Sequence, residues 1–168
     1  MILNVRRTRE KKPSPRWDWK PRPSVIILVQ KCTSAKLFKL GLPLNDKCTF
    51  CDSSKEEWYH IFFECPMDAK VFWKTFSSWW FELVDENITV TLKDIILGRL
   101  NRTDFINYLI NLGKLCIWEC RKAGIYPGFN IFLKKVQSKF ETEKFIASKN
   151  GTFVGFRKRW KAILAKLL

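Results

Sequence analysis

Four side chains with metal-binding chemistry fall within eighteen residues, in the pattern Cys48-x2-Cys51-x8-His60-x4-Cys65, and His60 is the only histidine of the chain. Two cysteines separated by two residues can aim both thiolates at one point from a tight turn. Zinc takes four nitrogen or sulfur donors in a tetrahedron, and a set of three cysteines and one histidine leaves no position open, which is the structural arrangement. His60 and Cys65 must then return from the other side. In an α-helix, residues five apart lie about 140° apart around the axis, so the two do not share a face. Pro66 disfavours helical geometry at Cys65. The expectation is a short helix through residues 56–62, a break, and Cys65 at the mouth of the next helix. The competing reading makes Cys48 and Cys51 ordinary buried cysteines and His60 a satisfied core histidine; a disulfide is a further alternative.

Residues 66–83 read as a helix, with Pro66 at its first position, Asp68 in its first turn, and Phe72, Phe76, Trp79 and Leu83 at helical spacing. Asp85-Glu86-Asn87 ends it. Upstream, residues 31–40 read as a short helix with Leu37 and Leu40 on one side and Gly41 just past its end. Thr91 and Asp94 form an acidic version of a capping box for a short helix closed by Gly98. Thr103 can cap a helix striped by Phe105, Leu109, Leu112 and Cys116. After the turn at Tyr126-Pro127-Gly128, Phe129, Phe132, Leu133, Val136 and Phe140 mark another helix. Phe156, Trp160, Ile163, Leu164 and Leu167 mark a last, basic one. Cys116 and Cys120, four apart on one helix face, read as small core residues, and Cys32 as unremarkable. The predicted fold class is all-α: a small helical domain with a zinc knuckle.

The chain of 168 residues carries a net charge of +15, distributed unevenly. Residues 1–40 hold eleven Lys/Arg against two acids, residues 41–100 six against ten, and residues 101–168 fourteen against four. A mildly acidic centre between basic flanks points to a polyanion, with nucleic acid (RNA or DNA) as the leading partner. The candidate phosphate contacts are Arg121, Lys122, Lys134, Lys135 and Lys139, then Arg157, Lys158, Arg159 and Lys161. A solvated lysine-rich surface is the plainer alternative. An anionic membrane surface met by a helix over 156–168 is the less favoured one. Residues 1–30 form a basic, proline-rich leader expected to be disordered, although Trp17 and Trp19 interrupt it. Residues 25–29 could be a short strand or a helix start. The expected division is leader 1–30, zinc-binding module 31–100 and basic helical region 101–168. No secretory signal is visible, which implies a reducing, intracellular setting (cytoplasm or nucleus).

Several segments together resemble a known family. They are Lys36-Leu37-Phe38-Lys39-Leu40-Gly41-Leu42, Lys47-Cys48-Thr49-Phe50-Cys51, Glu57-Trp58-Tyr59-His60-Ile61-Phe62-Phe63-Glu64-Cys65-Pro66 and Phe72-Trp73. They resemble the zinc-binding module near the C-terminus of the reverse transcriptase polyproteins of LINE-type, non-LTR retrotransposons. Phe105 to Ile110, Gly113-Lys114, Glu119-Cys120-Arg121-Lys122, and Pro127-Gly128-Phe129 with Phe132 are similar to the segment that follows that module. The resemblance spans residues 35–147. It implies that Cys48, Cys51, His60 and Cys65 ligate structural Zn2+, and that the region helps to engage RNA and target DNA during target-primed reverse transcription. No paired aspartates of the Tyr-x-Asp-Asp type and no endonuclease accompany it, and residues 1–31 do not match the family. The expectation is a detached C-terminal fragment with other parts of such a polyprotein as possible partners.

Catalysis is not expected. Four protein donors close a zinc sphere, no second histidine remains to act as a base, and no Gly-rich phosphate loop is present. A different class of function, a protein-interaction module, would dock through an exposed patch of Trp79, Trp80 and Phe81.

Overall fold

The computed structural model describes residues 33–99 and 104–167. The leader, the segment 25–29, Cys32 and the Thr103 cap lie outside these residues. Among the described residues the chain is helical, with one isolated antiparallel bridge between Lys47 and Lys55. Helix α1 is Ser34–Lys39, followed by a π-helical turn at His60–Glu64. Then come α2 Ala69–Val84, α3 Leu92–Leu97, α4 Asp104–Lys122, α5 Phe129–Asn150, α6 Phe153–Arg159 and α7 Lys161–Leu167. The all-α expectation holds.

Local signals set many of the boundaries. The Thr33 hydroxyl accepts from the Lys36 amide and starts α1, and Gly41, at φ +82°, follows its end. The α1 face differs from expectation, because Leu40 is exposed and Ala35 is the residue that is buried. The capping box of α3 forms in both directions: Asp94 donates its amide to the Thr91 hydroxyl, and its carboxylate accepts from the Thr91 amide at 2.8 Å. Helix α2 ends at Asp85, which takes the left-handed conformation.

Two expectations about helices are corrected. Helix α2 begins at Ala69, not at Pro66, because residues 66–68 form a turn that carries the Asp68 side chain into the interior instead of leaving it at a helix start. The last helix is two helices. The helix is interrupted at Trp160 (φ −90°, ψ 12°), and Phe156 and Trp160, four residues apart on one face, are both buried.

One hydrophobic core runs from Cys48 to Ile163, so it crosses residue 100. Helix α4 packs on the π-turn and on α5; α2 packs on the π-turn, α5 and α7; α6 packs on α5 and α7. The centre is aromatic: Phe72, Trp73, Phe76 and Phe132 meet at centroid distances of 5.0–5.7 Å, mostly edge to face. Gly113 permits the α4–α2 approach. A Cβ there would lie 2.9 Å from the Trp73 ring and 3.0 Å from that of Phe72. The expected α2 stripe is rotated: Trp73 and Trp80 are buried, while Trp79 and Leu83 are only partly so. Each buried indole has an acceptor, the Phe62 carbonyl for Trp73 (2.6 Å) and the Glu86 carboxylate for Trp80 (3.5 Å). The patch expected of Trp79, Trp80 and Phe81 is therefore not formed. Trp80 is interior, Trp79 packs on Phe76, Phe129 and Phe132, and only Phe81 is exposed.

Lys114 is buried in this core, its ammonium donating to the Ile95 carbonyl at the end of α3 (2.9 Å). Burial lowers its pKa from the ordinary 10.5 to about 8. Between these values the unfolded chain binds more protons than the folded one, so raising the pH through that window stabilises the fold. At about 1.4 kcal/mol per pH unit the contribution is roughly 3–4 kcal/mol. Chemical denaturation of the wild type and Lys114→Met from pH 7 to 10.5 checks this. The stability of the variant relative to the wild type should fall as pH rises above 8. Parallel curves would show that Lys114 keeps its proton.

Candidate metal centre

The first two cysteines sit on a small hairpin. Beside the bridge between Lys47 and Lys55, the Cys48 amide donates to the Ser54 carbonyl (2.8 Å) and the Asp52 amide to the Cys48 carbonyl (2.8 Å). Asp52 takes the left-handed conformation that closes the turn (φ 49°), which aspartate tolerates better than most residues. The Glu56 amide then bonds the Asp46 carbonyl at 2.8 Å and ties off the loop.

The other two donors are brought together by a feature the sequence reading missed. A short helix through residues 56–62 was expected; instead the helical turn opens at Trp58 and becomes π-helical over His60–Glu64. The Cys65 amide bonds the His60 carbonyl at 2.8 Å, an i to i+5 link. That wider turn brings residue 65 back beside residue 60, which an α-helix would not do. The chain leaves at Cys65 with φ −55° and ψ 115°, the extended geometry imposed by Pro66.

The four donor atoms lie within 4.8 Å of one another. Cys48 Sγ and Cys65 Sγ are 3.8 Å apart, and Cys51 Sγ and His60 Nε2 are 3.3 Å apart. With Zn–S bonds of about 2.3 Å and Zn–N of about 2.0 Å, the edges of a tetrahedron are about 3.5–3.8 Å. The spacing fits. Cys48, His60 and Cys65 are buried and Cys51 is half-buried. These four residues could hold one metal ion.

The electrostatics of the donor set point the same way. Burial raises the Cys51 thiol, but hydrogen bonds from Ser53, Cys48 and His60 outweigh it and bring the pKa to about 6. Burial, with the neighbouring Cys48 and Cys51 charges, pushes Cys65 up to about 12. Three thiols in one small volume resist common ionisation unless a cation joins them.

The basic residues named from sequence divide into two groups. Arg121 is corrected: it is buried, not available to phosphate. Its guanidinium pairs with Glu56 and lies 3.3 Å from Cys48 Sγ and 3.6 Å from the Asp68 carboxylate. Only tertiary packing could reveal this, because its neighbour Lys122 points to solvent. Lys134 and Lys139 on α5 are exposed, as are Arg157, Lys158, Arg159 and Lys161. Lys135 is half-buried and paired with Glu119, and Arg159 is 3.3 Å from Glu143. Among the described residues no helix is long and apolar enough to cross a membrane. No protein-family model, curated protein or solved structure matches this chain.

Proposed function

We propose that this chain is a non-catalytic, zinc-stabilised nucleic-acid-binding module, of the kind it resembles near the C-terminus of LINE-type reverse transcriptase polyproteins. The observation that carries the binding half is the exposed set Lys122, Lys134, Lys139, Arg157, Lys158 and Lys161, none of which forms an ion pair among the described residues. Exposed cations on α4, α5, α6 and α7 suit phosphate contacts and long-range attraction of a polyanion. The non-catalytic half is supported by the donor set, which fills a tetrahedron with protein atoms and consumes the sole histidine.

Binding of RNA, single-stranded DNA and duplex DNA by fluorescence anisotropy across a salt series tests this. Affinity should fall with a log–log slope of about −3 to −5 if some five cations engage. Lys134→Gln with Lys139→Gln should reduce the slope by up to about 2. Lys135→Gln should change it less, because Glu119 already holds that ammonium. No binding to any of the three at low salt would overturn the proposal. Phe156, Trp160 and Ile163, part of the surface a membrane would need, face the core, and anionic vesicles run beside the nucleic acids test that alternative.

A further inference from the structure

The segments around the candidate metal centre meet at one buried cation. Arg121 lies in the last turn of α4, 73 residues from Cys48 in sequence. Its Nη2 donates to Cys48 Sγ (3.3 Å), to the Thr49 hydroxyl (3.3 Å) and to the Glu56 carboxylate. Its Nη1 approaches Asp68, just before α2, and its Cζ lies over the Phe50 ring, 4.8 Å from the centroid. Glu56 also accepts from the amide (3.2 Å) and hydroxyl (2.9 Å) of Ser34, at the start of α1. The guanidinium thus touches the cysteine hairpin and the α2 entrance directly, and α1 through Glu56.

A buried guanidinium is costly unless strong acceptors surround it. One of its acceptors here is a sulfur of the donor set. Zinc with three thiolates and a neutral imidazole carries a net charge of −1, and a thiolate keeps lone pairs that accept from N–H donors while bound to metal. A cation aimed at Cys48 offsets that charge, and it does so from the helical half of the molecule.

We infer that Arg121 is a positioning residue for the metal, donating to the Cys48 thiolate so that metal loading and the docking of the C-terminal end of α4 are one cooperative event. This rests on the zinc reading above. Arg121 fixes Cys48 and the loop behind it, and the metal in turn fixes the acceptor that makes burial of Arg121 tolerable.

Metal affinity is measured by competition with a chromophoric chelator for the full chain and for Arg121→Gln and Arg121→Lys. Gln should weaken zinc 10–100-fold, the usual effect of removing a hydrogen-bond partner from a metal ligand. Lys, which keeps a charge but not the fork, should fall between. With cobalt(II) in place of zinc, the thiolate-to-metal charge-transfer band should shift in Arg121→Gln while the tetrahedral ligand-field bands remain. A merely structural arginine would not move that band. Hydrogen exchange on the wild type avoids any dependence on variant folding: chelation should remove protection from the last turns of α4 as well as from residues 46–56. Unchanged affinity and spectrum in Arg121→Gln, or an α4 whose protection is indifferent to chelation, overturns the inference. If the wild type takes up no metal at all, it is the zinc reading that fails.

Discussion

Replacing His60 with Ala, or stripping the metal with a chelator, is expected to unfold residues 46–56 and to lower the stability of the whole chain severely. Forming a structural zinc site contributes roughly 10–16 kcal/mol of apparent binding free energy in small zinc peptides, against about 5–15 kcal/mol of net stability for an ordinary domain. Apart from the metal, the hairpin's ties to the rest of the fold include Arg121, on Cys48, Thr49, Glu56 and Phe50, and Ser34 on Glu56. One backbone bridge and a few loop hydrogen bonds close it, and its own buried side chains are Cys48 and Glu56. The π-turn is better anchored, because Ile61 and Phe62 are completely buried and the Trp73 indole bonds the Phe62 carbonyl. Helical signal from α2 and α5 should therefore persist in part after metal loss, while the hairpin loses its structure. Elemental analysis of the purified chain should give one zinc per molecule, and His60→Ala or Cys51→Ser should abolish it. An unchanged metal content in His60→Ala would show that the four donors are not the ligands.

Trp160→Ala is expected to cost about 3–5 kcal/mol, the range for truncating a large buried aromatic. Trp160 is fully buried, packs on Phe105 (5.2 Å between centroids), Phe140 (5.3 Å) and Tyr108 (6.1 Å), and donates its indole N–H to Glu143 at 2.9 Å. Together with Phe156 on Phe140, it joins α6 and α7 to α4 and α5. For a chain of this size the melting temperature should fall by roughly 6–20 °C, at about 2–4 °C per kcal/mol. Trp160→Phe should recover most of that, losing mainly the bond to Glu143. Thermal unfolding of the metal-loaded proteins measures both. A loss below about 1 kcal/mol in Trp160→Ala would mean that the last two helices are not docked as described.

What the sequence determined by itself is local. The four donors are close in the chain and spaced for one centre; the Thr91–Asp94 box spans three residues; Gly41 and Asp85 follow the ends of helices; the α4 stripe of Phe105, Leu109, Leu112 and Cys116 is buried as its period requires. Each depends on neighbours a few positions away, so the residue types and their spacing suffice. What only the tertiary structure decided depends on partners far along the chain. Arg121 looks like any surface cation of a basic helix until Cys48, Glu56 and Asp68 are folded against it. Asp68 looks like a helix-starting acid, yet it is buried with its carboxylate 3.6 Å from that same guanidinium. Trp80 turns into the core while Trp79, its neighbour, is only partly covered, and the last helix is interrupted at Trp160. The π-turn lies between the two classes. The five-residue interval from His60 to Cys65 and Pro66 excluded a continuous α-helix, but the i to i+5 bond that resolves the conflict is selected by the demand that both donors reach one point. Apolar period and capping chemistry specify which residues form helices, whereas the direction of a charged side chain is set by the free energy of burying it, and that depends on which opposite charges the fold brings within reach.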